Sequence, residues 1–225
     1  MSSFDPVILG GTDGLNKMHW HEYVNDFDFF LATDWVITNT GVTPTQAIAQ
    51  AKDGILVITN TGADNDASFL QARDVASGQV AEHWVFDSTK RLYFESRFKV
   101  STATQIDFIM GLQITDTTPL AVSDGIWFQK DDDDTHLDFH VAKSSTQSDL
   151  TDFAEVTADT YMKLGFYYNG SNSFISAYKD GVLVGSLPTT NAPSHALCLS
   201  FGVQNGDGNA RSMSVDYVRI LQERG

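Results

Sequence analysis

The chain has 225 residues with 29 acidic and 14 basic side chains, a net charge of −15 and a pI near 4.5. That balance argues against a nucleic-acid grip, which needs clustered Lys and Arg to displace counterions, and no Lys or Arg run exists to serve as a polybasic membrane anchor. Apolar stretches of a few residues fall far short of the roughly 20 a bilayer span requires, and one cysteine, Cys198, leaves the fold without an internal disulfide.

In chain order, Met1 to Asp26 mixes Val7-Ile8-Leu9, Gly10-Gly11 and Trp20 with neither clean alternation nor a helical stripe, and its start has no basic or hydrophobic signal region. Residues 1–26 are read as an irregular N-terminal arm and 27–225 as one domain. From there a period of two dominates. Strands are expected at Trp35–Thr40, Gly54–Asn60 and Ser68–Ala72. In Arg91–Val100, Leu92, Phe94, Phe98 and Val100 alternate with Tyr93, Glu95, Arg97 and Lys99, and Gln105–Ile114 alternates in the same way. Gly125–Lys130 follows, then His136–Val141, with Leu137, Phe139 and Val141 opposite His136, Asp138 and His140. Tyr161–Tyr168, Phe174–Tyr178 and Val182–Leu187 form a meander, because Asn169-Gly170 and Asp180-Gly181 supply the positive φ of tight hairpins. Ala196–Gln204 and Arg211–Leu221 close the chain. Such alternation marks antiparallel sheets with one core face and one wet face, and about a dozen short strands predict an all-β, two-sheet antiparallel jelly-roll sandwich.

Reactive centres find little support. Cys198 sits among apolar neighbours in a strand, where a thiol behaves as a small hydrophobe, and no Gly-x-Ser-x-Gly elbow or phosphate-cradling loop occurs. His136 and His140, four apart on a strand, would stand about 13 Å from each other, too far to share a zinc. His19-Trp20-His21 lacks a third ligand nearby. Asn205 to Asn209 alternates oxygen donors with glycine, but Ala210 stands where a calcium loop wants glycine, and Asp131 to Asp134 reads as a solvated loop. No metal or cofactor is implied. Paired acids for retaining glycoside hydrolysis, about 5 to 5.5 Å apart, are equally sparse, since the chain has only five glutamates and the pair Glu22 and Asp26 falls in the irregular N-terminal segment.

Three segments carry a resemblance: Tyr93-Phe94-Glu95-Ser96-Arg97-Phe98-Lys99-Val100, Tyr178-Lys179-Asp180-Gly181-Val182-Leu183-Val184-Gly185, and Val215-Asp216-Tyr217-Val218-Arg219-Ile220. They resemble the concanavalin A-like lectin/glucanase superfamily, the outer two its laminarinase-type glucanases and the middle one laminin G-like modules. Those enzymes carry a Glu-x-Asp-x-x-Glu strand that this chain lacks. Asp34-Trp35-Val36-Ile37-Thr38, Gly54-Ile55-Leu56-Val57-Ile58-Thr59-Asn60, Gly111 to Pro119 and Ser200 to Gly206 resemble a tailed-bacteriophage virion protein with the same sandwich.

The second resemblance implies a non-enzymatic virion protein, assembled in the host bacterial cytoplasm. It would decorate or cement the capsid by binding the major capsid protein and copies of itself, as a homotrimer. Cement proteins gain by bridging many sites at once, so Phe4, Val7, Ile8, Leu9 and Trp20 of the arm are the expected shell or subunit contacts. The alternative is a carbohydrate-binding module, a fibre or receptor-binding element with a glycan as partner, using Trp84, Trp127 or Tyr167 as exposed rings on a concave sheet. Trp127 stands beside Phe128, and the sequence leaves open which of them faces outward. A laminarinase-like glucanase is the third reading.

Overall fold

The computed structural model describes residues 19–41, 43–49, 54–74, 79–80 and 82–224, so Phe4, Val7, Ile8 and Leu9 lie outside the described residues. Strands are numbered β1 to β17 in chain order, and they form two antiparallel sheets. Sheet 1 has the order β15 (Val182–Pro188), β14 (Phe174–Lys179), β13 (Met162–Asn169), β8 (Arg91–Val100), β17 (Ser212–Glu223), β4 (Ile55–Thr59), β3 (Thr45–Ala49), with β1 (Trp20–Asn25) also on β17. Sheet 2 has the order β12 (Thr146–Glu155), β11 (His136–Lys143), β10 (Gly125–Lys130), β9 (Ile106–Gln113), β16 (Ala196–Asn205), β5 (Ala67–Asp74), β2 (Trp35–Thr40). Two short strands flank it, β6 (Gln79–Val80) on β5 and β7 (Trp84–Val85) on β16. The expected all-β, two-sheet antiparallel sandwich is therefore present.

Alternation builds the core as the sequence implies. Phe94, Phe98, Phe108, Phe128, Phe139, Phe166 and Phe201 point between the sheets and are fully buried. Their rings interlock, Phe94 stacking on Phe166 at 5.0 Å and Phe128 lying 4.9 Å from Phe139. Asp180 (φ +50°) and Gly181 (φ +80°) form the two-residue turn between β14 and β15. The Asn169-Gly170 turn is longer than a tight hairpin, because Asn169 Oδ1 accepts from the N–H groups of Ser171 and Asn172 and rounds out a wider loop.

Two long strands change partners halfway. The first part of β17, Ser212–Val215, pairs with β4, and the last part, Val218–Glu223, pairs with β1. In sheet 2, Ala196 and Leu197 of β16 pair with β7, and Ser200 to Gln204 pair with β5. The stretch from Trp20 to Asn25 expected in an irregular arm is thus a strand. Trp20 is 5% exposed, packed with Tyr93 and Leu221 on the outer face of sheet 1 beneath the Arg91 guanidinium, so it is not available as a shell contact. Its immobilisation follows from the register, which sets Trp20 opposite Glu223, the carboxylate that Arg91 grips at 3.1 Å.

Candidate functional site

The outer face of sheet 2 is where the expected sugar platform would stand. Trp127 faces outward and Phe128 inward, but Trp127 is 2% exposed. Ala67, Phe69, Ile109, Val122 and Ala142 pack around it, and its ring lies 5.0 Å from His140. Gly111 makes this possible, since a Cβ there would fall 2.6 Å from Trp127 Cα. The connection from Ile114 to Asp124 is pinned across the same face: Gln113 Nε2 donates to Pro119 O, Gln71 Nε2 to Ile114 O, and Asp116 N to Gln71 Oε1. The wet face expected of β9 is consequently absent, and all its residues are buried. The exposed-platform reading of Trp127 is corrected by this covering.

Carboxylates on this face are committed to structure. Asp149 Oδ1 lies 2.7 Å from His140 Nδ1, Asp138 Oδ1 accepts from Asp152 N, and Asp107 Oδ1 accepts from Asp132 N. Register sets Asp138 opposite Gln129 and Gln129 opposite Ile109, two residues from Asp107. Two strand spacings and two residue steps give about 12 Å between the Asp107 and Asp138 Cα atoms, well beyond the separation retaining chemistry uses. Burial pushes the Asp107 carboxyl up to about 6, against the hydrogen bond from Asp132 that lowers it. Beside it Lys130, 1% exposed and lowered in pKa by burial, donates to the carbonyls of Thr104, Ile106 and Asp131. Asp131 to Asp134 are therefore a braced turn, and Asp134, His136 and Asp152 converge at its exposed end. Asp207 is engaged by Arg211 and Asn209. Cys198 is fully buried, and burial raises its thiol to about 11, as a structural cysteine requires.

An open cleft lies elsewhere, on the flank where β1 of sheet 1 faces β5 and β7 of sheet 2. Its volume is about 360 Å³, within the usual range for small-ligand sites. The partner exchanges of β16 and β17 bring these strands together. β1 alternates, so His21 and Tyr23 point between the sheets while Trp20 and Glu22 point away. Trp84, Leu199, Ile220 and Ala72 make an apolar floor, and His21 stacks on Trp84 with ring centroids 4.4 Å apart and planes 13° apart. The rim is polar: Tyr23, Asp34, Arg73 and His83. Tyr23 Oη accepts from Asn25 Nδ2, and burial raises its pKa. Glu22 is engaged by Arg219 at 3.1 Å. Burial lowers the pKa of His21, and the positive charges of Arg224 and His83 lower it further.

The three expected sugar-contact residues fall in three places. Trp84 reaches the cleft, but at 4% exposure it is floor beneath His21 and not a free platform. Trp127 is enclosed on sheet 2, and Tyr167 lies half-buried on the outer face of sheet 1 beside Trp20 and Tyr93. Sequence reasoning weighed His21 only as a metal ligand and passed over Tyr23, Asp34, Arg73 and His83. The readable signal was His19-Trp20-His21, where alternation on a strand would have separated the tryptophan from its neighbours.

No protein-family model matches the chain, and no curated protein matches it. Solved structures do. A prokaryotic β-1,3-1,4-glucanase (lichenase) from a mouse hindgut metagenome superposes with a TM-score of 0.59 at 14% identity, covering 88% of this chain and 98% of its own. An endo-β-1,4-glucuronan lyase from the fungus Trichoderma reesei gives 0.59 at 11% identity, covering 88% and 94%. Peanut lectin gives 0.53 at 11% identity, covering 90% and 97%. Carbohydrate-cleaving enzymes and lectins thus share this architecture, and none of these three is a capsid protein. The sandwich of this chain is a concanavalin A-like jelly roll.

Proposed function

We propose that the protein is a glycan-binding module without catalytic activity, and that its contact site is the flank cleft. The observation that carries this reading is the cleft itself: an apolar floor with a stacked imidazole–indole pair, rimmed by a phenol, a carboxylate, a guanidinium and a second imidazole. Flat apolar surface beside mixed donors and acceptors suits sugar rings, whose C–H faces pack on aromatics while their hydroxyls both donate and accept. The lectin and glucanase neighbours make a carbohydrate ligand the natural class for this scaffold, by analogy of fold. Absence of catalysis is inferred from the outer-face carboxylates, each of which holds a loop or a histidine in place.

A glycan microarray probed with the full chain tests the reading. Binding to a defined subset of glycans, weakened at least tenfold by His83→Ala, is the expected result; an array blank at micromolar protein would refute it.

A second surface favours protein contact. Val182, Leu183 and Val184 of edge strand β15 are 66%, 54% and 44% exposed, and Phe174 of β14 is 52% exposed. Exposed apolar edges promote association, so copies of this chain, or a virion shell containing the major capsid protein, are partners this edge could serve. Sedimentation of Val182→Lys/Val184→Lys against the parent chain checks it, a lower mass for the variant being expected.

A further inference from the structure

Three side chains able to ligate a metal meet at one end of sheet 2, apart from the flank cleft. Asp134 lies in the turn between β10 and β11, His136 opens β11, and Asp152 sits in β12 where its pairing with β11 slips. Their ligand atoms all lie within 4.8 Å of one another. Two carboxylate oxygens face the same imidazole nitrogen: Asp134 Oδ1 stands 3.4 Å from His136 Nδ1, and Asp152 Oδ1 stands 4.0 Å from it. Spacing along the strand set His136 only against the distant His140, and the slip in β12 supplies a partner that spacing does not show.

These separations are long for charge-assisted hydrogen bonds, which close to about 2.7–2.9 Å. The same two strands hold such a bond, His140 Nδ1 to Asp149 Oδ1 at 2.7 Å. Tetrahedral zinc, with bonds of about 2.0–2.2 Å to nitrogen and oxygen, keeps its ligand atoms about 3.4 Å apart. Asp134 Oδ1 is at that distance, and the exposed Asp152 side chain reaches it by a small rotation. The His136 N–H donates to Asp134 Oδ1 at 2.8 Å and so fixes the carboxylate from behind, the kind of outer support that orients metal ligands. Asp131 to Asp133 precede the cluster and Asp138 follows it on β11, so the local field favours a cation.

We propose that Asp134, His136 and Asp152 bind a zinc-class divalent metal ion through one imidazole nitrogen and two carboxylate oxygens, with a fourth position open to solvent. A nitrogen donor and few ligands select this class over calcium, which takes roughly six to eight oxygens. The ion ties the turn before β11 to β12, and water fills the open position. The site shares no residue with the cleft, so this inference stands or falls independently of the glycan reading.

Titration calorimetry of the full chain with zinc chloride tests it. Saturable one-to-one binding in the micromolar range is expected, with calcium chloride at least tenfold weaker. His136→Ala and Asp152→Ala alter solvent-exposed side chains, so both should melt with the metal-free parent. Each should nevertheless weaken zinc at least tenfold and remove the rise in melting temperature that zinc gives the parent. In imidazole ¹⁵N spectra, His136 Nδ1 should move on zinc addition while His140 stays in place. His21 and His83, with ring centroids 6.4 Å apart, are the rival imidazole pair. Zinc affinity lost in His83→Ala but kept in His136→Ala would overturn the assignment, as would unchanged affinity in both site variants or no saturable binding. Equal affinity for calcium would overturn the zinc class.

Discussion

Asp107 holds its proton to about pH 6 because its carboxyl is removed from water on the outer face of sheet 2. The unfolded chain releases that proton near pH 4, so the folded state binds more protons between about pH 4 and 6. Stability contributed by this group is full below pH 4 and is lost as pH rises through 6, a decline on the order of 2 kcal/mol. Carboxylates with lowered pKa values, such as Glu223 beside Arg91, slope the other way, so the difference between parent and Asp107→Asn isolates the effect. Thermal melts from pH 4 to 7 should show the parent losing stability relative to the variant as pH rises, and parallel curves would contradict it. Lys130 makes the neighbouring case. Its ammonium satisfies three carbonyls in a site with 1% exposure, so Lys130→Met should cost about 3 kcal/mol by urea denaturation, most of it from carbonyls left without donors.

At the scale of elements, β1 completes sheet 1. Removing residues 1–25 would strip the Val218–Glu223 edge of its partner and uncover Tyr93 and Leu221 from beneath Trp20. The truncated chain is expected to melt at least 5 °C below the parent, consistent with a loss of about 2 kcal/mol or more, and equal melting would show β1 to be dispensable. The ten-residue β8 and β16 were readable in the sequence because Phe94 and Phe98, or Phe201 and Val203, fill one face without interruption. β12 was not readable. Its Thr146-Gln147-Ser148-Asp149 start is polar on both faces, and register with β11 rather than side-chain burial makes it a strand. β1 escaped for the opposite reason: Trp20 packs outward and Tyr23 inward, so both faces carry rings and no alternation shows. The cleft was illegible because its residues come from β1, the turn before β2, β5, β7, β16 and β17, and only the exchange of partners along β16 and β17 gathers them.

For the whole molecule, the sandwich closes one possible binding face and opens another. Trp127 and the Ile114–Asp124 connection cover sheet 2, and the flank between β1 and β7 stays accessible. The most direct measurement is the two-dimensional amide and indole spectrum of the ¹⁵N-labelled chain during titration with a glycan selected on the array, with the sugar recovered afterwards for mass spectrometry. The indole signal of Trp84 and the amides of His21, Tyr23 and His83 should shift, the Trp127 indole should stay in place, and the glycan should return intact. Shifts centred on Trp127, Gln129 and His140, or a shortened glycan, would contradict the account.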